Sequence, residues 1–170
     1  MTVCGGSDDL EAQLDDEARE GYLFAADGAT STLIRAGLRP RVIVTDLDGD
    51  VDDQVRANVE GSVVFVHAHG DNMDAVREHV PRFRGDLVCT CQCPPVEGVV
   101  NFGGFTDGDR AACVASALGA HAVRLLGFDF EHPSEKPGRL PEVKAKKLAW
   151  AKHILSMLAE EGVRLENLPR

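Results

Sequence analysis

The chain has 170 residues, 44% of them apolar and 27% charged, enough for one domain whose core needs no disulfide staples. Its 28 acidic against 18 basic residues leave a net charge of −10, which excludes the basic stripe that nucleic-acid phosphates require. No run approaches 18 consecutive apolar residues, and the opening MTVCGGSDDL lacks the basic and apolar regions of a signal peptide. A cytoplasmic protein with no membrane partner is therefore expected.

Residues 2–4 read as a short strand, followed by Gly5-Gly6-Ser7 and an acidic helix over about 8–19. A second strand at 22–26 ends in Asp27-Gly28, and 29–36 is helical with Gly37 as its C-cap. Val42, Ile43 and Val44 form a continuous β-branched run, as in a strand buried on both faces, and a helix follows at 51–58. A strand at 62–66 runs into His67-Ala68-His69-Gly70-Asp71, then a helix at 73–79 is stopped by Pro81. After a strand at 87–90 come a helix at 107–118, a strand at 122–126 and a long amphipathic helix at 141–160. The loop 132–138, with two prolines, is the one expected to move, and Trp150 is expected in the core. Strands separated by helices of this length predict a single α/β domain spanning 1–170, a Rossmann-like three-layer α/β/α sandwich on a mostly parallel sheet.

The five cysteines are odd in number, and Cys89, Cys91 and Cys93 alternate as on one face of a strand. A zinc site would want two closely spaced pairs, and no second pair exists, so packed thiols are expected.

In a parallel sheet the C-terminal strand ends share one edge, and ligands bind there. Asp27-Gly28, Asp46-Leu47-Asp48, the 67–71 run, Thr90 to Gln92 and Phe128-Asp129 all follow strand ends, so they should converge. Asp46, Asp48 and Asp50 around Gly49 would repel one another unless a counter-charge is present, and a divalent cation or a phosphate carried by one resolves that. Gly5-Gly6-Ser7 suits either an anion at a helix N-terminus or a plain tight turn. In the run Asn101-Phe102-Gly103-Gly104-Phe105-Thr106-Asp107-Gly108-Asp109-Arg110, the glycines allow close backbone approach to a ligand and Thr106 is placed as an N-cap. Lys144 and Lys147 share a helix face and can reach a phosphate tail, or simply face solvent.

Two partial signatures are set aside. His67-x-His69-x-Asp71 resembles a metallo-β-lactamase-type zinc run, but position 72 is Asn and the strand–helix alternation does not suit that fold. Asp46-x-Asp48-Gly49 resembles the haloacid-dehalogenase nucleophile motif, but it ends the third strand and is followed by Asp50.

Taken in order, Asp27-Gly28-Ala29, VTDLDG, HAHGDN, Thr90-x-Gln92, NFGGFTDGDR and the 144–148 segment resemble the archaeal 6-hydroxymethyl-7,8-dihydropterin diphosphokinase family over nearly the whole chain. More distantly the pattern is similar to the catalytic domain of thiamin diphosphokinases. The cysteines at 89, 91 and 93 stand where the resemblance leads one to expect threonine. The resemblance implies ATP-dependent transfer of diphosphate to the hydroxymethyl group of a reduced pterin, with release of AMP, in folate- or methanopterin-type cofactor synthesis. It implies Mg2+ with ATP as co-substrate, and Asp46, Asp48, Asp71, Asp107 and Asp109 as the candidate metal ligands. Arg110, Lys144 and Lys147 would hold phosphates; Asp27, Gly28, Asn101, Gly103, Gly104 and Thr106 would line the nucleotide or pterin site. His69 or one of the aspartates is a candidate base for the substrate hydroxyl. Alternatives are a thiamin acceptor and a non-catalytic nucleotide- or pterin-binding module, and a homo-oligomer is left open.

Overall fold

A computed structural model describes residues 1–130 and 141–168, apart from the side chains of Pro141 and Lys144. The strands are β1 (Thr2–Cys4), β2 (Leu23–Ala26), β3 (Val42–Thr45), β4 (Val63–His67), β5 (Leu87–Thr90), β6 (Val99–Val100), β7 (Ala122–Leu126) and β8 (Arg164–Glu166). The helices are α1 (Leu10–Gln13), α2 (Asp16–Glu20), α3 (Ala29–Arg35), α4 (Val51–Val59), α5 (Met73–His79), α6 (Asp107–Ala117) and α7 (Pro141–Glu160). All strands pair in parallel in the order β6-β5-β4-β3-β2-β1-β7-β8, so the direction of growth reverses between β1 and β7. That reversal is the switch point at which a crevice opens above the strand ends.

The alternation of side chains along the central strands divides the core in two. Val3, Phe24, Val42, Val44, Phe65, Val123 and Leu125 face α6 and α7, meeting Ala111, Val114, Leu155 and Leu158. Cys4, Leu23, Ala25, Ile43, Val64, Val66 and Leu126 face the other way, against Leu10, Ala18, Leu33, Val51 and Ala57. Each central strand is thus apolar on both faces, which is why it reads as an unbroken apolar run. The fold is the expected α/β sandwich.

Several local expectations are corrected. The helix expected over 8–19 is two short helices, because Leu14 is extended and Asp15 then caps α2 by accepting from the Ala18 N–H at 2.9 Å. By contrast α5 ends at His79 just before Pro81, as expected, and a 3-10 turn, Val80–Arg82, follows it. Trp150 is 56% exposed on α7, with its ring against His153 rather than in the core. The three cysteines do not share a strand face, since β5 ends at Thr90 and leaves Cys91 buried and Cys93 exposed beyond it. The 132–138 loop lies outside the described residues. No helix among the described residues is long and apolar enough to cross a membrane.

Candidate active site

Six neighbouring strand ends, from β5 across to β7, and the N-terminus of α6 line a cavity of about 1010 Å³. Asp27 follows β2 with φ at +43°, and Leu47 follows β3 with φ at +69°. A left-handed leucine costs on the order of 1–2 kcal/mol, so the turn persists only because its neighbours hold it. Thr45 does that: its Oγ1 accepts from the Leu47 N–H at 2.8 Å and donates to Asp27 Oδ1 at 2.8 Å. The same Asp27 oxygen accepts from Gln54 Nε2 at 3.0 Å and from the Gly49 N–H at 3.2 Å. A Cβ on Gly49 would lie 2.5 Å from Asp27 Oδ2, so only glycine lets the loop close over this carboxylate.

The result is a triad of carboxylates. Asp27, Asp46 and Asp48 each bring one ligand atom within 4.8 Å of the others, the single such metal-competent group among the described residues. Burial, then the neighbouring Asp48, pushes the Asp27 carboxyl up from 3.8 to about 6. Asp46 Oδ2 faces His69 Nε2 at 3.6 Å, while Asp46 Oδ1 is buried without a partner. Asn72 clasps the two loops, donating to the Asp46 and His67 carbonyls at 2.9 and 2.7 Å and accepting from the His69 N–H at 3.1 Å.

From the opposite wall, Asp107 opens α6; burial and the charges of Asp46 and Asp27 hold its carboxyl well above the usual range. Thr106 and Asp109 form a capping box. Asp109 Oδ1 accepts from Thr106 N at 2.8 Å and from the Thr106 hydroxyl, and its Oδ2 accepts from the Phe105 N–H at 2.6 Å. Arg110, 2% exposed, donates from Nη1 to the Gly103 and Gly104 carbonyls at 2.9 and 3.1 Å. Gly104 has φ at +86°, and a Cβ there would lie 2.4 Å from Arg110 Cα, so the close approach this glycine permits is to α6.

The cavity's charge is lopsided. Nine carboxylates line it (Asp8, Asp9, Glu11, Asp27, Asp46, Asp48, Asp71, Asp107 and Asp129) against three cations, Arg35, Arg110 and Lys147. An aromatic wall of Phe105, Phe128 and Phe130 stands beside them, the last two rings 6.0 Å apart.

Residues 3–135 match the family model described as 6-hydroxymethylpterin diphosphokinase MptE-like. The chain belongs to this family. Proteins named 6-hydroxymethyl-7,8-dihydropterin pyrophosphokinase are similar to it in three archaea. The Pyrococcus furiosus protein is 43% identical over 94% of this chain and 72% of its own length. That of Methanothermobacter thermautotrophicus is 42% identical over 85% of this chain, and that of Methanocaldococcus jannaschii 36% over 82%. The chain spans 66% and 63% of those two relatives' lengths.

Among the residues expected in the site, Asp27, Gly28, Asp46, Asp48, His69, Asp71, Thr106, Asp107, Arg110 and Lys147 all line the cavity. Asp27, read from sequence as touching substrate, joins Asp46 and Asp48 instead of Asp71, which lies outside the triad. Asp109 is fully buried with both oxygens committed to the cap, so it offers nothing to a cation. Asn101 folds back on its own loop, accepting from the Gly103 N–H at 2.9 Å, and neither it nor Gly103 nor Gly104 lines the cavity. The side chain of Lys144 lies outside the described residues. Asp50 caps α4 by accepting from the Asp52 and Asp53 N–H groups.

Sequence reasoning missed Thr45, Gln54 and Asn72, and singled out His67 without giving it a role. Gln54 carried a usable signal: it is a polar residue at helical spacing from Val51 and Ala57 and is fully buried. The cap reading makes a prediction. Asp109→Ala should lower stability by about 1–2 kcal/mol in thermal or urea unfolding, as for a lost N-cap. Mg2+ affinity measured by calorimetry should stay within about twofold; a tenfold loss would return Asp109 to the ligand set.

Proposed function

We propose that this chain transfers diphosphate from ATP to the hydroxymethyl group of 6-hydroxymethyl-7,8-dihydropterin and releases AMP. The observation that carries the reading is the excess of carboxylates in the cavity. A triphosphate cannot enter beside nine carboxylates and three cations unless a divalent ion comes with it. The residues fit such an ion: three hard oxygen donors converge, and the buried, partnerless Oδ1 of Asp46 is a ligand atom in want of a cation. Asp27, Asp46 and Asp48 would hold Mg2+, which supplies neutralisation of phosphate charge when bound.

The other residues position and balance charge, because phosphoryl-group transfer needs alignment and electrostatic stabilisation more than covalent chemistry. The substrate hydroxyl oxygen forms a bond to the β-phosphorus as the bond from that phosphorus to the α-bridging oxygen breaks, so AMP departs with the bridging oxygen. His69 would receive the hydroxyl proton, with Asp46 facing its ring at 3.6 Å to hold its orientation. Arg110 and Lys147 would take phosphate oxygens. The buried backbone contacts of Arg110 keep its guanidinium fixed.

Incubation with ATP, Mg2+ and the hydroxymethyl-dihydropterin should yield AMP and diphosphorylated pterin in equal amounts, by chromatography. Thiamin in place of the pterin should yield none. ADP as the product, or AMP only with thiamin, would sink the reading, and ligand binding without turnover would make the chain a binding module.

A further inference from the structure

His67 is absent from the chemistry above, yet it is the last residue of β4, 2% exposed, and it lines the cavity. Its Nδ1 lies 3.1 Å from Thr90 Oγ1. A threonine hydroxyl has one hydrogen, and the Thr90 oxygen also lies 3.2 Å from the Val66 carbonyl, so both contacts are hydrogen bonds only when Thr90 donates to that carbonyl. Thr90 is therefore the acceptor, and His67 Nδ1 carries the proton. Burial, and next to it the charge of Arg110, pushes the imidazole down to about 4, so the ring is neutral near pH 7 and holds only that one proton. What remains at Nε2 is a lone pair, buried and without a hydrogen-bond partner, and the Gln92 side chain opposes part of that downward push on the ring.

A buried acceptor of this kind calls for a donor. Phosphate oxygens are acceptors too, and would be repelled. A flat nitrogen heterocycle bearing N–H groups and a hydroxyl supplies donors. We propose that His67 Nε2 selects the diphosphate acceptor, taking an N–H or O–H of its heterocycle and seating it on the β4–β5 side of the aspartate triad. The nucleotide is thereby left the opposite side, toward β1 and β7. This rests on the proposed reaction and adds to it which part of the cavity takes which substrate.

The test uses the whole chain labelled with 15N at histidine. Free His67 should show a protonated Nδ1 and an unprotonated Nε2. Adding 6-hydroxymethyl-7,8-dihydropterin should move the Nε2 signal, and adding ATP alone should not. Two variants give the energetic reading. His67→Asn keeps a donor for Thr90 but loses the acceptor, and should weaken pterin binding, followed by its fluorescence, by about tenfold or more. ATP binding should change by less than about twofold, and His67→Gln, which returns an oxygen near the Nε2 position, should recover most of the loss.

A 6-methyl analogue separates the two donors. If His67→Asn weakens it as well, a ring N–H makes the contact; if it binds both proteins equally, the hydroxyl does. A free His67 protonated at Nε2, a signal that moves with ATP, or unchanged pterin affinity in His67→Asn overturns the proposal. In any of these cases the wild-type protein still turning over leaves the proposed reaction standing. Wild-type protein that neither binds nor uses the pterin brings both down.

Discussion

Asp46→Asn should lower turnover by about 10³-fold or more, the scale seen when a group that stabilises transition-state charge is lost from a preorganised site. The substitution keeps the shape of the side chain, and the Asn72 clasp on the Asp46 backbone carbonyl does not depend on the carboxylate. Folding should therefore be intact, with an unchanged or higher melting temperature. The effect arises because Asp46 has two jobs: its Oδ1 is the partnerless oxygen of the triad and its Oδ2 faces His69. Calorimetry should show Mg2+ binding weakened by about tenfold or more, the cost of replacing one of three charged ligands in a hard-cation site. Full activity in Asp46→Asn would remove the triad from the reaction.

The second large effect concerns the fold without metal. The Asp27 carboxyl titrates near 6 in the folded protein against 3.8 ordinarily, because it is buried and stands beside Asp48. A folded-state value above the unfolded one favours the folded form while the group is protonated. That stabilisation is complete below about pH 4 and is lost as pH rises through about 6. The span from 3.8 to about 6 corresponds to roughly 3 kcal/mol. Urea unfolding with a chelator present should thus show stability declining across that window, on top of the other carboxylates' behaviour. Asp27→Asn should remove this component, and Asp48→Asn only the smaller share due to the neighbouring charge. On the proposed reading Mg2+ should restore stability at pH 7 in the wild type, because the three carboxylates that would hold it converge only in the folded form. A flat profile in both wild type and Asp27→Asn would mean the triad is relaxed by some other counter-charge. Groups that destabilise the empty protein and are needed when it is loaded are what a functional site is expected to contain.

Much of this architecture was legible because parallel strands covered on both faces are apolar throughout, as at 42–44, and because polar residues reappear abruptly where those strands end. The edge strands were not legible. Val99–Val100 has two residues, and Arg164–Glu166 alternates charge around one half-buried leucine, so neither carries a periodic signal. The acidic stretch at 8–19 misled because aspartate is as good at starting a helix as at occupying its first turn; Asp15 does the former.

In the site, the convergence of motifs could be argued from topology, but roles could not. Asp27 and Asp46 meet because Ala26 is in register with Val44, and a left-handed turn at Asp27 then bends its carboxylate toward β3. Asp109 looked like a ligand from the motif it sits in, and its capture by Thr106 is a matter of backbone geometry at one helix end. Which ring nitrogen of His67 carries the hydrogen depends on Thr90, on another strand, and no local pattern carries that information.

The place of β1 in the sheet has a consequence for how the molecule is made. This strand lies between β2 and β7, so one of its two neighbours is made only after β2 to β6 have been synthesised. Val3 and Cys4 are wholly enclosed in the finished protein, but until 122–126 emerges their strand has one bare edge. Pairing across so long a stretch of chain is slow, and an open apolar edge is a template for other chains. A ribosome stalled before β7 would therefore hold the six strands β1 to β6 with the β1 edge exposed, and the step that ends that hazard is the arrival of Ala122–Leu126.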